Sequence, residues 1–257
     1  MKKTAVITGG AGGLGRALAT QLQADGWFTA IIDLAGPALD QVSANDQQAA
    51  YACDLTKPAD VKRICARITK DRPSIDLVVY NAGITQIGLF QDTPLETHRA
   101  VMDVNYFGAV FIAAEFLQEV RKSQGTHLAI SSVAGFTPLY KRTAYAASKH
   151  ALEGFFKSLR GEESDHGVTT LIAAPSFVAT NIGNSESQKD GIARPGSATD
   201  GVDYMTAVDA ASVILSGLKR KKSAIYVGRV AKLASLINRV SPSIFARIME
   251  RKIKNNS

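Results

Sequence analysis

The chain has 257 residues, 46% of them hydrophobic and 21% charged, which suits one large domain with a full core and excludes a disordered or fibrous chain. Two isolated cysteines, Cys53 and Cys65, exclude a disulfide framework, show no metal-ligand spacing and fit a reducing, cytoplasmic compartment. The net charge of +7 is uneven: residues 215–257 hold eleven Lys and Arg against Glu250 alone, so the segment is +10 and the body before it −3. This argues against a generally basic protein, and the basic segment has too few interleaved aromatic residues to stack bases, so no nucleic-acid role is expected.

The start, MKKTAVITGG, has two lysines, an apolar run of five residues and then glycines. That run is too short for a secretory signal, and no stretch of the chain reads as long and apolar enough to span a membrane. Apolar, β-branched runs recur at 4–8 (TAVIT), 29–33, 75–80, 127–131, 169–174 and 224–227. Helical periodicity fills the gaps, as at Leu14, Ala17, Leu18 and Leu22 and over 94–121. Strands alternating with helices predict βαβ units around a parallel sheet buried on both faces, a doubly wound α/β fold. No repeat or linker divides it. Residues 181–201 are polar and rich in Gly and Ser; they read as a mobile loop, either a substrate lid or plain slack.

Strand TAVIT runs into GGAGGLG and then into a helix at Arg16, the setting in which backbone N–H groups meet a pyrophosphate. Two registers fit: Gly10, Gly12 and Gly15 as G-x-G-x-x-G, or Gly9, Gly13 and Gly15 led by Thr8. Asp33 ends the second strand, where a carboxylate accepts hydrogen bonds from ribose hydroxyls and repels a 2′-phosphate; the alternative is a plain turn residue. Leu34 follows it, and Arg16, the one nearby cation, is placed on the helix surface. NAD(H) is therefore expected over NADP(H). Further on come Asp54-Leu55-Thr56 after the third strand, Asn81-Ala82-Gly83 after the fourth, Asn105 in the long helix, Ser131-Ser132, and then Tyr145 and Lys149 four residues apart. Alone, that last pair is an ordinary surface i, i+4 pair.

Together these residues resemble the short-chain dehydrogenase/reductase family in its classical type, over about residues 4–180. TGGAGGLG is similar to its T-G-x-x-x-G-x-G loop, which selects the register Thr8, Gly9, Gly13, Gly15. The resemblance implies a Rossmann-type sheet of strand order 3-2-1-4-5-6-7 and interconversion of a secondary alcohol and a ketone. Tyr145 is then the acid/base. A free phenol, with pKa about 10, is a poor base near neutrality, and Lys149 one turn on is expected to favour its ionised form. The resemblance implies that Lys149 also bonds the nicotinamide ribose, that Ser132 bonds the substrate oxygen, and that Asn105 holds a water linking Lys149 to solvent. Thr8, Gly9, Gly13, Leu14, Gly15, Asp33, Asp54, Leu55, Asn81, Ala82, Gly83, Tyr145, Lys149, Pro175 and Thr180 are its cofactor-binding set. Asp54 falls on the adenine side and Thr180 at the carboxamide; Asn81 is as much structural as binding. The chain departs from the family at Pro175-Ser176, where the family has Pro-Gly; serine takes positive φ less readily. A homodimer or homotetramer is implied, built partly on the helices bearing Asn105 and Tyr145.

His98, His127, His150 and His166 show no ligand spacing and read as structural or surface residues; no metal site is expected. Cys53 and Cys65 read as small apolar residues. The tail predicts two short helices broken at Ser241-Pro242. In the second, Ile244, Phe245, Ile248 and Met249 alternate with Arg247, Arg251 and Lys252. Such a segment packs on the body, covers the pocket or a partner, or lies on an anionic membrane. The domain is thus taken as 1–228, including a substrate loop at 181–205, with a helical extension at 229–257. The leading expectation is an NAD(H)-dependent oxidoreductase of a lipophilic alcohol or ketone. The rivals are an NADPH-dependent 3-oxoacyl-type reductase and a non-catalytic NAD-binding sensor.

Overall fold

The computed structural model describes residues 2–180, 191–193, 204–241 and 243. Seven strands form one sheet: β1 (Thr4–Thr8), β2 (Phe28–Asp33), β3 (Gln48–Ala52), β4 (Leu77–Tyr80), β5 (Thr126–Ile130), β6 (Thr169–Pro175) and β7 (Ala224–Val227). Every pairing is parallel and the order is 3-2-1-4-5-6-7. This is the expected sheet, with strand ends shifted by a residue or two from the sequence reading.

Because side chains alternate along a strand, one strand feeds two cores. Val6, Ala30, Val78 and Ala129 face a layer made by α2 (Pro58–Asp71), α4 (Gly108–Ser123) and α5 (Thr143–Ser164), with Ile112, Phe116 and Phe156 buried there. Ala5, Ile7, Ile31, Val79 and Leu128 face α1 (Gly13–Ala24) and α6 (Ala207–Lys219), with Leu18, Leu22 and Ile214. Both faces are covered, so the strands read as continuous apolar runs rather than alternating ones.

The expected long helix is broken in register. α3 (Leu95–Met102) passes through a π-helical turn, Asp103–Phe107, into α4, and Asn105 sits in that turn, buried. Single π turns mark the places where a helix re-aims side chains. The combined run Leu95–Ser123 has the length and hydropathy to cross a bilayer, contrary to the expectation that no stretch does. Here Val101, Ile112, Phe116 and Val120 bury one of its faces in the core.

The described parts of the 181–205 loop are structured. Ile192–Ala193 pairs antiparallel with Thr85–Gln86, and Met205–Thr206 pairs parallel with Val178–Ala179. Both short pairings hang over the C-terminal edge of the sheet, which the sequence reading left as loop. α7 (Arg229–Val240) follows β7 and stops at Ser241, whose backbone is extended (φ −150°), as the residue before a proline prefers. The second tail helix, with Ile244, Phe245, Ile248 and Met249, lies outside the described residues.

Candidate active site

At the C-terminal end of β1 the chain turns through positions that demand glycine for different reasons. Gly9 and Gly13 have φ of +62° and +46°, the left-handed region that side chains avoid. A Cβ on Gly9 would lie 2.8 Å from Ala82 Cα, and one on Gly13 2.9 Å from Thr180 Cβ. A Cβ on Gly15 would strike the Gly9 carbonyl oxygen. These three constraints select the register Gly9, Gly13, Gly15. Gly12, by contrast, faces open space and N-caps α1 with no side-chain cap and no acid in the first turn. The first N–H groups of α1 therefore face outward without an intrahelical partner.

Thr8 and Gly15 do not line the cavity that opens beside this loop; they build it. The Thr8 hydroxyl donates to Val79 O (3.3 Å) and accepts from the N–H groups of Asn81 (3.0 Å) and Ala82 (3.1 Å). Asn81 Nδ2 donates to the carbonyls of Thr8 (3.2 Å) and Gly9 (2.9 Å). The Asn81-Ala82-Gly83 turn is thus tied to the glycine loop by side chains, and the Asn81 amide is structural. Thr8 and Gly15, expected in the cofactor set, support the loop from behind the cavity wall.

The cavity, about 530 Å³, runs along the C-terminal ends of the strands, where ligands of such sheets bind. Gly9, Gly13, Leu14, Asp33, Asp54, Leu55, Asn81, Ala82, Gly83, Pro175 and Thr180 line it, together with Ser132, Tyr145 and Lys149. Asp33 Oδ2 accepts the Ala11 N–H (3.0 Å) and Oδ1 that of Leu34 (2.9 Å). Asp54 Oδ1 accepts from Thr56 N–H and hydroxyl (3.0 and 2.7 Å), and Lys57 stands 3.3 Å from Oδ2; the Thr56 hydrogen bond holds the Asp54 carboxyl below its ordinary pKa. Leu34, Ala35, Gly36, Pro37 and Ala38 line the cavity beside Asp33. Arg16 does not line the cavity; its Nε folds back onto the glycine loop and donates to Ala11 O at 2.9 Å. The open helix N-terminus, the cramped glycines and the carboxylate at the end of β2 fit a nicotinamide dinucleotide, with pyrophosphate at α1 and ribose at Asp33.

At the other end, Ser132 N-caps the 3-10 turn Val133–Gly135, its Oγ accepting the Ala134 N–H (3.2 Å). Tyr145 and Lys149 project from the first turns of α5. Lys149 Nζ donates to Ile130 O (2.9 Å) at the end of β5 and lies 5.8 Å from the Tyr145 ring centre. Burial pushes the Tyr145 phenol above its ordinary pKa; the Ser132 side chain, within hydrogen-bonding reach, and the Arg142 charge oppose this. Burial also pulls the Lys149 ammonium down to about 8, against the opposing pull of Glu153. Beside Lys149, Arg142, buried and three residues earlier, also acts on the phenol and lowers its pKa.

Asn105 does not line the cavity. Its Nδ2 donates to Ile84 O and Ser148 Oγ (both 2.9 Å), and its Oδ1 accepts the Ile84 N–H (2.8 Å). One lone pair of Oδ1 is left. A Cβ on Gly83 would stand 3.2 Å from that oxygen and 3.6 Å from Lys149 Nζ, so the glycine keeps open the space between the two.

Ser176 carries no strain. Among the described residues only Gln124, Lys141 and Lys221 are non-glycine with positive φ. Ser176 N–H and Oγ both donate to Val227 O (3.0 and 3.2 Å), and the left-handed position falls instead on Gly228 (φ +93°). The doubt raised by the missing glycine is thereby removed. Arg142, Leu139, Val133, Phe177 and Tyr204 also line the cavity; sequence reasoning missed them because they sit in turns without a motif. Cys53 and Cys65 are free and buried, and burial raises both thiols, Cys53 to about 11. Among the described residues no group of His, Cys, Asp or Glu comes together to hold a metal.

The model of the short chain dehydrogenase family matches residues 3–191. The chain is 32% identical over 275 residues to dehydrogenase/reductase SDR family member 7B of Bos taurus, covering 98% of this chain and 83% of that protein. It is 32% identical over 192 residues to estradiol 17-beta-dehydrogenase 2 of Mus musculus, covering 72% and 50%. Among solved structures, a short chain dehydrogenase from Burkholderia cenocepacia in complex with NADP superposes with a TM-score of 0.84 at 20% identity, over 96% of this chain and 97% of that one. One from Burkholderia phymatum in complex with NAD gives 0.79 at 20% identity, over 91% of each.

Proposed function

The chain belongs to the short-chain dehydrogenase family and is an oxidoreductase of CH–OH groups with a nicotinamide cofactor; from this premise we propose that it uses NAD(H) to interconvert a lipophilic secondary alcohol and its ketone. The observation that carries the proposal is the single cavity joining the glycine loop and Asp33 to Ser132, Tyr145 and Lys149. Gly9, Gly13, Leu14 and Asp33 would hold the dinucleotide there, and its nicotinamide would supply the acceptor or donor of hydride.

In oxidation, Tyr145 takes the hydroxyl proton as the carbon loses hydride; in reduction it returns that proton. Ser132 donates to the substrate oxygen, where negative charge gathers. Lys149 orients the nicotinamide ribose and passes protons outward through a water between its Nζ and Asn105 Oδ1. Asp33 binds the ribose hydroxyls. The described cations lining the cavity are Arg142 and Lys149, so the cavity wall at Asp33 offers a carboxylate and no cation to a 2′-phosphate. Val133, Leu139, Phe177 and Tyr204 favour an apolar substrate.

Turnover of a panel of secondary alcohols with NAD⁺, from short 3-hydroxy acids to steroids, tests this. Tyr145→Phe is expected to lower kcat by roughly 10²–10⁴-fold while leaving NADH affinity intact. Wild-type protein that binds NADH and oxidises none of the panel would favour the sensor reading.

Two surfaces extend the proposal. Tyr106, Phe107, Phe111 and Phe155 form a partly exposed aromatic cluster on the π turn, α4 and α5, with contacting ring centres 4.9–6.2 Å apart; we assign it to self-association, with sedimentation of Phe107→Asp as the check. On α7, Leu233, Leu236 and Val240 are exposed beside Arg229, Lys232 and Arg239. This face suits an anionic membrane surface, and liposome co-sedimentation with and without residues 229–257 decides it.

A further inference from the structure

Along α5, Tyr145, Lys149, Glu153 and Lys157 recur every four residues and so share one face. Glu153 is 5% exposed, and a carboxylate is seldom buried unless paired. Its Oε1 accepts the Ser131 hydroxyl at 2.8 Å, and its Oε2 takes Lys157 Nζ at 2.6 Å. Ser131 is the residue before Ser132. Gly135, at the far end of the same 3-10 turn, makes room for the arrangement: a Cβ there would strike Ser131 Oγ and lie 2.5 Å from Glu153 Oε1. One carboxylate therefore ties the catalytic helix to the start of the turn that presents Ser132, and Gly135 leaves the room for it.

We propose that Glu153 is a positioning residue of this active site: its carboxylate holds Ser131 at the start of the turn that presents Ser132, and its buried charge stands one helical turn from the Lys149 ammonium and acts on it. This rests on the dehydrogenase reading above. The pin alone does not call for an acid, since a glutamine oxygen accepts a hydroxyl equally well, and a buried carboxylate costs desolvation that an amide does not. The charge does. Lys149 is buried with its Nζ on the Ile130 carbonyl, and burial lowers its pKa to about 8; Glu153 is the charge that opposes this.

The charged groups around the pair are otherwise cationic. Arg142, Lys157 and Arg160 lie on α5 itself, and from α7 Arg239 lines with Glu153 a cavity of about 270 Å³ behind the turn. From β5 come only the Ile130 carbonyl and the Ser131 hydroxyl. Tyr145 gains from the same charge indirectly: a phenolate forms more readily beside a lysine that is still an ammonium.

The test compares wild type, Glu153→Gln, Glu153→Asp and Ser131→Ala as full-length enzyme. Glu153→Gln keeps the acceptor for Ser131 and removes the charge. The ¹³Cε resonance of Lys149 in lysine-labelled protein is expected to titrate near pH 8 in wild type and about one unit lower in Glu153→Gln. The alkaline limb of kcat/KM for alcohol oxidation should move the same way, with kcat/KM reduced roughly tenfold at its optimum. Glu153→Asp should restore the limb in part. Ser131→Ala should lower kcat and leave the limb in place. A Lys149 midpoint that is the same in wild type and Glu153→Gln overturns the proposal, whether or not the enzyme turns over. Wild type without turnover on any alcohol overturns the dehydrogenase reading, and the NMR titration still decides the role of Glu153.

Discussion

Asp33 accepts the Ala11 N–H at 3.0 Å, so the carboxylate that faces the ribose end of the cavity also braces the glycine loop. The two roles separate by substitution. Asp33→Asn keeps an acceptor for Ala11 and removes the charge; Asp33→Ala loses both. With charge-assisted hydrogen bonds worth roughly 1.5–3 kcal/mol, Asp33→Asn is expected to move the NADH-to-NADPH affinity ratio about 10- to 100-fold toward NADPH. Asp33→Ala should weaken both cofactors. Fluorescence titration of each variant with each cofactor measures this, and an unmoved ratio in Asp33→Asn would assign the discrimination elsewhere.

Tyr80 and His127 meet across neighbouring strands, phenol oxygen to Nδ1 at 2.6 Å, with His127 Nε2 buried and unpartnered. Burial pulls His127 down to about 4, against about 6.5 unfolded. The folded state refuses a proton that the unfolded state accepts, so stability is full above pH 6.5 and is lost as pH falls toward 4. At about 1.4 kcal/mol per unit, the loss is about 3 kcal/mol. Urea unfolding of wild type and His127→Gln at pH 7 and pH 4.5 should show a smaller pH dependence in the variant. Parallel losses would remove His127 as the cause.

Arg121 grips Glu163 through two hydrogen bonds, 2.9 and 2.6 Å, and joins α4 to α5. The Glu163 side chain is 1% exposed and that of Arg121 27%; the arginine holds the Glu163 carboxyl below its ordinary range. A depressed carboxyl stabilises the fold above its unfolded pKa and loses that contribution as pH falls through the folded value. Arg121→Leu strands a buried carboxylate and is expected to cost roughly 2–3 kcal/mol at neutral pH. Arg121→Leu/Glu163→Leu should cost less than the single change. A double mutant worse than the single would mean the pair is not coupled in this way.

Gly228 combines φ of +93° with Ser176 Oγ in the place where its Cβ would go. Gly228→Ala is expected to destabilise by about 1–3 kcal/mol and to raise KM for the cofactor, because Pro175 and Ser176 line the cavity. Adding Ser176→Gly removes the clash but not the backbone strain, so thermal unfolding should show partial recovery. Full recovery would reduce the effect to the clash alone.

Layer structure and the glycine loop were legible because each depends on local chemistry, whereas strand order and the roles at the site were implied by the family resemblance. Continuous apolar runs mean a doubly covered sheet. A glycine loop between strand and helix means open N–H groups, and the order Asn81, Asn105, Ser132, Tyr145, Lys149 is carried by spacing alone. What spacing cannot state is which side of a site a residue serves. Thr8 and Gly15 stand behind the wall because both pack against Asn81, in the turn after β4, more than sixty residues away. The π turn at Asn105 was invisible, since one extra residue in a helical turn leaves the hydrophobic pattern almost unchanged.

The sequence by itself determined the alternation of strands and helices and the motifs by which the family is recognised, since these lie in residue types at short separations. Only the tertiary structure decided the electrostatics. Whether a cation acts on Tyr145, whether Lys149 keeps its proton and why Glu153 is buried depend on desolvation and on which charges lie within a few ångströms. Those distances arise from β5, α5 and the 3-10 turn folding together, and no linear pattern in the chain records them.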